Sequence, residues 1–288
     1  MGPGLMPFDA ERLKTWEFGT RTQSYTARDA MLYALGVGMP LEPGESDDLG
    51  FLTEDALRVL PSFAVTLATP GMWPKLPELE IAWEKVLHMA HACRFHTPLP
   101  PEARVESRAE ITELYDRGAD KGSVCILRRE VRDTDDGTLY ATIDQTVAMR
   151  GDGGFGGAPM PRQPRPQMPD RAPDHVQSVG TSPRATYIYR LSGDYNPLHS
   201  DYDVARRAGF DAPILHGLAS YGTACAVLLR AFGGGDPARM RSLDLRFAGI
   251  VFPGDRLDFS CWQEGGRVLF EVRVGDRVVI DQGVSDIS

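Results

Sequence analysis

Two short segments carry residue types able to do acid–base chemistry. In Tyr189-Arg-Leu-Ser-Gly-Asp-Tyr-Asn-Pro-Leu-His-Ser200 the carboxylate of Asp194 precedes the imidazole of His199 by five residues. Asn196 and Pro197 lie between them. An Asn-Pro pair opens a turn, because the proline ring fixes its own φ and drives the preceding residue out of the helical region. Such a turn folds Asp194 and His199 towards one another. In the second segment, Ala212-Pro-Ile-Leu-His-Gly-Leu-Ala-Ser220, His216 and Gly217 stand just before Leu218–Phe232, an apolar run with the composition of a long helix. Gly217 therefore falls at a helix N-terminus, where N–H groups lack intrahelical partners and the dipole favours negative charge.

A carboxylate, an imidazole and an exposed amide suit one reaction in particular, the addition of water to the α,β-bond of an acyl thioester or its removal. That reaction needs a proton moved at the α-carbon and a water or hydroxyl handled at the β-carbon. It also needs a donor for the thioester oxygen as it becomes enolate-like. A positioned acid or base contributes about 10²–10⁴ in rate, and a preorganised N–H about 3–4 kcal/mol. An Asp-x-Asn-Pro turn alone is an ordinary turn. The joint pattern, with Gly217 eighteen residues beyond His199 and opening an apolar helix, is what points to function.

Gly193-Asp-x-Asn-Pro-Leu-His199 followed by His216-Gly217 resembles the signature of the MaoC-like dehydratases, the hydratase 2 family of (R)-specific enoyl-CoA hydratases. The resemblance implies an α+β hot-dog fold, a long helix wrapped by an antiparallel sheet. It implies Asp194 and His199 as the catalytic pair, Gly217 N–H as the oxyanion donor and Asn196 as a supporting polar group. Gly193 and Leu198 belong to the same substrate-side motif. It further implies substrate contacts at His88, at Arg117 near the coenzyme A moiety and at Phe247 lining the site. Relatives usually carry Gly after the residue matching His88, and Met89 stands there instead. The implied activity is a reversible enoyl-CoA hydratase and 3-hydroxyacyl-thioester dehydratase of fatty-acid metabolism, without cofactor or metal and with an acyl-CoA as substrate. The implied assembly is a homodimer. An acyl-CoA thioesterase of the same fold, or a silent acyl-CoA-binding subunit, are the alternatives. His216 reads as an anchor for the loop before the helix rather than as a reacting group.

The elements that position these residues follow from pattern. Thr26–Leu35 reads as a short helix with Thr26 at its N-cap, Asp29 three residues on, and Gly36 and Gly38 closing it. Strand composition predicts β-structure at Ser62–Ala68, Val86–Phe95, Ala103–Tyr115, Ser123–Arg132 and Thr138–Met149. Asp136-Gly137 makes a hairpin between the last two. Gly151 to about Pro173 is rich in Gly, Pro and Arg and reads as a linker crossing the surface. A strand is predicted at Ala185–Arg190 and a short helix at Asp203–Ala208. Four strands then follow the long helix, at Met240–Phe247, Asp255–Trp262, Arg267–Val274 and Arg277–Val284. Arg94-Phe95 and Arg246-Phe247, each followed by Pro and by paired strands, form a weak internal repeat. The repeat and the linker divide the chain into an N-terminal unit (1–150), a linker (151–175) and a C-terminal unit (176–288), and the resemblance implies a double hot-dog whose first, hot-dog-like unit encloses substrate and whose second is catalytic. The long helix is evident only in the second unit.

Composition narrows the class. A net charge of −9 over 288 residues argues against a nucleic-acid surface. If coenzyme A binds, local cations must hold its phosphates, and Arg239 and Arg241 are candidates. Cys93, Cys125, Cys225 and Cys261 lack metal-type spacing and suggest reduced thiols in a cytoplasmic protein. The N-terminus lacks the marks of a secretory leader, and no apolar stretch is long enough to span a membrane. His88-x-x-His91, with His96 nearby, does not match a zinc motif, and residues three apart on a regular strand point to opposite faces. The Gly-rich stretch at 151–157 lacks the Gly-Lys-Ser/Thr ending of a phosphate loop.

Overall fold

Among the described residues, ten antiparallel strands form one sheet that both halves of the chain share. The structure, a computed structural model, describes residues 8–42, 44, 46–162 and 166–288. Residues 1–7, to which part of the leader reading applies, and residues 163–165 of the linker lie outside the described residues. The first half contributes β1 (Thr20–Tyr25), β2 (Val86–Phe95), β3 (Ala103–Asp116), β4 (Ser123–Asp133) and β5 (Leu139–Met149). The second contributes β6 (His175–Gly180), β7 (Met240–Phe247), β8 (Arg256–Glu264), β9 (Arg267–Val274) and β10 (Arg277–Ile287). The spatial order is β1-β3-β4-β5-β2-β7-β10-β9-β8-β6. Replacing each strand of the first half by the one five later turns 1-3-4-5-2 into 6-8-9-10-7, so the two halves share one topology. They join where equivalent strands meet, β2 against β7, with Ala90 opposite Arg246 and Arg94 opposite Ser242. The weak repeat in the sequence is therefore a repeat of structure.

In the second half the segment between the first two strands holds α3 (Ala185–Tyr189), α4 (Tyr202–Arg207) and α5 (Gly217–Gly233). Helix α5 is buried along most of its length because it runs against the sheet with other elements packed on its remaining sides. Its Tyr221 hydroxyl donates to the Leu243 carbonyl of β7 at 2.8 Å, and Gly234, at φ +58°, closes it. In the first half the corresponding place holds α2 (Ala27–Gly36) and short 3₁₀ turns, after a five-residue helix α1 (Ala10–Lys14) at the chain's start. Helix α2 has the expected start, the Asp29 carboxylate accepting from Thr26 N–H at 2.8 Å. It crosses α5 at Gly222. The Thr223 hydroxyl of α5 donates to Val37 C=O at 2.8 Å there.

Two predicted strands are helical. Most of Ser62–Ala68 lies in a 3₁₀ turn, Pro61–Thr66, begun by a proline at its first position, and Leu67 and Ala68 continue it as a turn. The run is buried from Pro61 to Val65, and a short, wholly buried apolar run has no periodicity to separate strand from helix. Its carbonyls are taken by the buried guanidinium of Arg129, which donates to Leu67 at 2.8 Å and Val65 at 2.6 Å. Ala185–Arg190 is α3 and the start of a 3₁₀ turn. Ala185 and Tyr189, four apart, share a buried face, and Gly36 of α2 lets the backbone of Tyr189 approach to 3.2 Å of where a Cβ would stand. Packing there overrides β-propensity. Two strands went unpredicted, β1 and β6, and they are the two edges of the sheet. Edge strands carry polar side chains and lack clear alternation, which hides them. The linker crosses the surface by β8: Trp262 Nε1–H donates to Arg171 C=O, and Arg171 pairs with Asp174 and Glu264.

Gly222 tests the crossing of α2 and α5. A Cβ there would lie 2.3 Å from Val37 Cγ1 and 2.7 Å from the Tyr33 hydroxyl. Gly222→Ala should therefore cost about 1–3 kcal/mol and lower the melting temperature by several degrees in calorimetry. A melt at or above wild type would show that the two helices separate readily.

Candidate active site

The turn between α3 and α4 is built by side-chain capping. Gly193, at φ +114°, ends the 3₁₀ turn after α3 in a conformation that favours glycine. The Asp194 carboxylate then accepts from Asn196 N–H at 3.1 Å, and the Asn196 side-chain oxygen accepts from Leu198 N–H at 3.2 Å. Pro197 opens the single turn Pro197–His199. Residue types that favour Asx turns thus carry the chain from carboxylate to imidazole. Asn196 holds the turn through its oxygen, while its amide N–H groups remain available as donors.

His199 is buried, and its Nδ1 lies 2.8 Å from the Ile214 carbonyl. A carbonyl only accepts, so Nδ1 carries the proton and Nε2 the lone pair. Burial lowers the His199 pKa, opposed by the charge of Asp194 and by the bond to Ile214. The ring is thereby kept neutral and able to accept a proton. His216 lies against it, ring centroids 3.8 Å apart and planes 28° from parallel. Its Nε2 stands 3.2 Å from the backbone carbonyl of Asp194. Ligating atoms of Asp194, His199 and His216 all lie within 4.8 Å of one another. The first two side chains therefore converge, as their spacing suggests, and His216, expected only to anchor a loop, stands within the same cluster.

Gly217 begins α5, and the first bond back along the helix runs from Ala219 N–H to His216 C=O. The amides of Gly217 and Leu218 precede it, at the positive end of a seventeen-residue helix. Phe247, at the end of β7, covers this point. Its Cε1 lies 3.2 Å from where a Gly217 Cβ would be, so any side chain there would push the ring aside by a few tenths of an ångström. His88 packs edge-on against Phe247, ring centroids 5.0 Å apart. The structure therefore brings Asp194, Asn196, Leu198, His199, Gly217, Phe247 and His88 to one end of α5.

His88 and His91 require a correction. They do not face apart: His91 Nδ1 is 3.2 Å from His88 Nε2. The register of β2 against β5 jumps from His88–Val147 to Ala90–Thr146, which leaves Met89 as the extra residue of a β-bulge. One skipped residue turns a spacing of three into two, and two shares a face. Burial lowers the pKa of His88 to about 4 and that of His91 well below its usual value. Arg117 is exposed, in a turn where its N–H bonds Gly122 C=O. It sits at the sheet end shared with His88 but three strands away, about 14 Å at the usual strand spacing. Arg239 and Arg241 follow the far end of α5, about 25 Å from Gly217 by helix length, and so do not border the site. No helix among the described residues is long and apolar enough to cross a membrane.

Comparison with known proteins finds two family matches. Residues 23–151 match the MFE-2 hydratase 2 N-terminal domain and residues 165–283 the MaoC like domain. The chain is 39% identical to 3-hydroxyacyl-thioester dehydratase Y of Mycobacterium tuberculosis, over 90% of this chain and 91% of that one. It is 34% identical to the peroxisomal enoyl-CoA hydratase 2 of Arabidopsis thaliana, over 94% and 92%. Its fold superposes on the MaoC-like dehydratase from Phytophthora capsici with a TM-score of 0.83 at 32% identity, covering 97% of this chain and 99% of that one. In fold alone it also matches a Mycobacterium tuberculosis protein with a double hotdog fold, at a TM-score of 0.53 and 17% identity, over 96% and 99%. The double hot-dog expected from the sequence is the fold of the chain.

Four neutral imidazoles, three of them buried and that of His88 half-buried, make stability depend on pH. The pKa values of His88, His91, His199 and His216 are all lowered, to about 4 for His88 and about 3 for His216. Below about pH 6.5 the unfolded chain takes protons that the folded chain refuses, so stability falls as pH falls. The melting temperature should drop between pH 6.5 and 4.5, and by less in His91→Gln. A flat melting temperature across that range would show that these rings titrate normally.

Proposed function

The chain belongs to the MaoC-like dehydratase and hydratase 2 family, and from that premise we propose that it is an (R)-specific 2-enoyl-CoA hydratase, equally a (3R)-hydroxyacyl-CoA dehydratase. The observation that carries this reading is the convergence of Asp194, His199 and His216 at the start of α5, with ligating atoms within 4.8 Å of one another. In it, a water donates one hydrogen bond to the Asp194 carboxylate and another to His199 Nε2, and one of these two acceptors takes its proton. Its oxygen is then free to attack the β-carbon. The thioester carbonyl swings towards Gly217 N–H as negative charge develops on its oxygen, and the helix dipole reinforces that bond. The proton taken from water is returned to the α-carbon on the same face. One C–O and one C–H bond form, one O–H bond breaks and the C=C π-bond is consumed. No redox step and no external group are needed. Dehydration is the reverse sequence.

The rest of the reading follows from placement. The N-terminal unit, residues 1–150, encloses the acyl chain, with His88 and Phe247 at its join to the catalytic unit. Arg117, at the same sheet end, is exposed and suited to a coenzyme A phosphate. The linker spans 151–175 and the catalytic unit 176–288. All four cysteines are buried and unpaired, which suits a reducing, cytoplasmic compartment. We propose a homodimer, to be measured by light scattering.

Asp194→Asn and His199→Gln should each lower the hydration of crotonyl-CoA at least about a hundredfold with unchanged circular dichroism. Near-full activity in either would remove that residue from the chemistry. Release of free thiol without loss of enone absorbance would instead identify a thioesterase. Dialysis against EDTA should leave kcat unchanged; a loss restored by added zinc would overturn the metal-free reading.

A further inference from the structure

His216 stands at the crossing of everything the proposed reaction uses, yet no step of that reaction needs it. It is 1% exposed. It is the residue before Gly217 and the N-cap of α5. One face of its ring lies on His199 at 3.8 Å. Its Nε2 faces the Asp194 carbonyl at 3.2 Å, and since that oxygen can only accept, Nε2 carries the proton. The Tyr189 ring closes the site around it, with centroids 4.9 Å apart. One side chain therefore touches the backbone of the carboxylate residue and the ring of the imidazole residue. It is joined covalently to the residue that supplies the amide.

The two imidazoles are laced reciprocally. His199, on the first segment, donates to Ile214 C=O on the second. His216, on the second, donates to Asp194 C=O on the first. Each bond alone leaves a hinge, whereas two crossed bonds and a stacked contact fix the segments in separation and in rotation. A charged ring at 216 would lie face to face with His199 and oppose the proton that His199 must take up, so the device works only while His216 is neutral. The groups facing it are Asp194, His199, Tyr189 and Arg190. Burial is the main cause that holds its pKa low, with His199 adding to it.

We propose that His216 is a positioning residue that sets the geometry of Asp194, His199 and the Gly217 amide through a neutral, Nε2-protonated imidazole crossed with that of His199. The inference rests on the hydratase reading for its kinetic consequence but not for its structural one.

Two variants separate ring from donor. His216→Phe keeps a stacked ring and removes the N–H. His216→Gln removes the ring and keeps an N–H close to the position of Nε2. With crotonyl-CoA, His216→Phe should lower kcat at least about tenfold with KM changed by less than about threefold, the mark of an interaction that matters in the transition state. His216→Gln should recover at least about threefold of that loss. Circular dichroism should match wild type in both. Equal kcat in wild type and His216→Phe, a loss confined to KM, or His216→Gln no better than His216→Phe would each overturn the proposal. Should His216→Phe fail to fold, ¹⁵N-histidine NMR of the wild-type protein decides. A neutral, Nε2-protonated signal for His216 from pH 8 to pH 5 supports it, and an Nδ1-protonated or titrating ring refutes it. A wild type without hydratase activity would remove the functional reading and leave the tautomer measurement standing.

Discussion

The site depends on two imidazole-to-carbonyl hydrogen bonds that cross between a turn and a helix start. His199 reaches from the 194–199 turn to Ile214, and His216 reaches from the helix start to Asp194. Each bond fixes a tautomer as well as a position. The bond at His199 turns a lone pair outward from its Nε2, and that lone pair is what makes the buried ring a base. The bond at His216 holds the backbone of the residue whose carboxylate completes the pair. Neither interaction is strong alone, at about 1 kcal/mol net for a typical hydrogen bond. Crossed and buried, they replace loop freedom by a single arrangement, and a preorganised site requires that.

The fold explains why such a site is at hand. Each five-stranded unit leaves one segment, between its first and second strands, to pack on the sheet. In the second unit that segment is a long helix preceded by the capped turn. In the first it is a ten-residue helix and a set of 3₁₀ turns. Equivalent strands, β2 and β7, pair at the centre, so the end of one unit's strand lies beside the beginning of the other unit's helix. That is how His88 of the first unit comes to pack on Phe247, which covers Gly217. The helix-poor first unit leaves that end of α5 to be walled by side chains.

The residue after His88, expected to be Gly, is Met89, and Met89 is the extra residue of the bulge. The bulge turns His88 onto the face of His91 and towards Phe247. Aiming a side chain by inserting one residue leaves the remaining ladder of β2 and β5 intact, as the pairing from Ala90 to Phe95 shows.

The sequence by itself determined what local rules can reach. The Asp-x-Asn-Pro turn, the glycine at a helix start, the capping of α2 by Asp29, the Asp136-Gly137 hairpin and the strands with clear alternation are all written in neighbouring residues. They were enough to fold Asp194 towards His199, and the resemblance of that motif to a known family supplied the fold. Only the tertiary structure decided what depends on partners distant in the chain. Arg129 takes the carbonyls of a buried run and Gly36 admits the backbone of Tyr189, so two strand-like stretches lie in helical turns. The edge strands β1 and β6 are strands because β3 and β8 offer them hydrogen bonds, not because their own residues ask for it. The stacking of His216 on His199 and the joining of His88 to His91 could not be read from spacing. One requires two segments to be crossed in space, and the other a register slip that only a neighbouring strand can define.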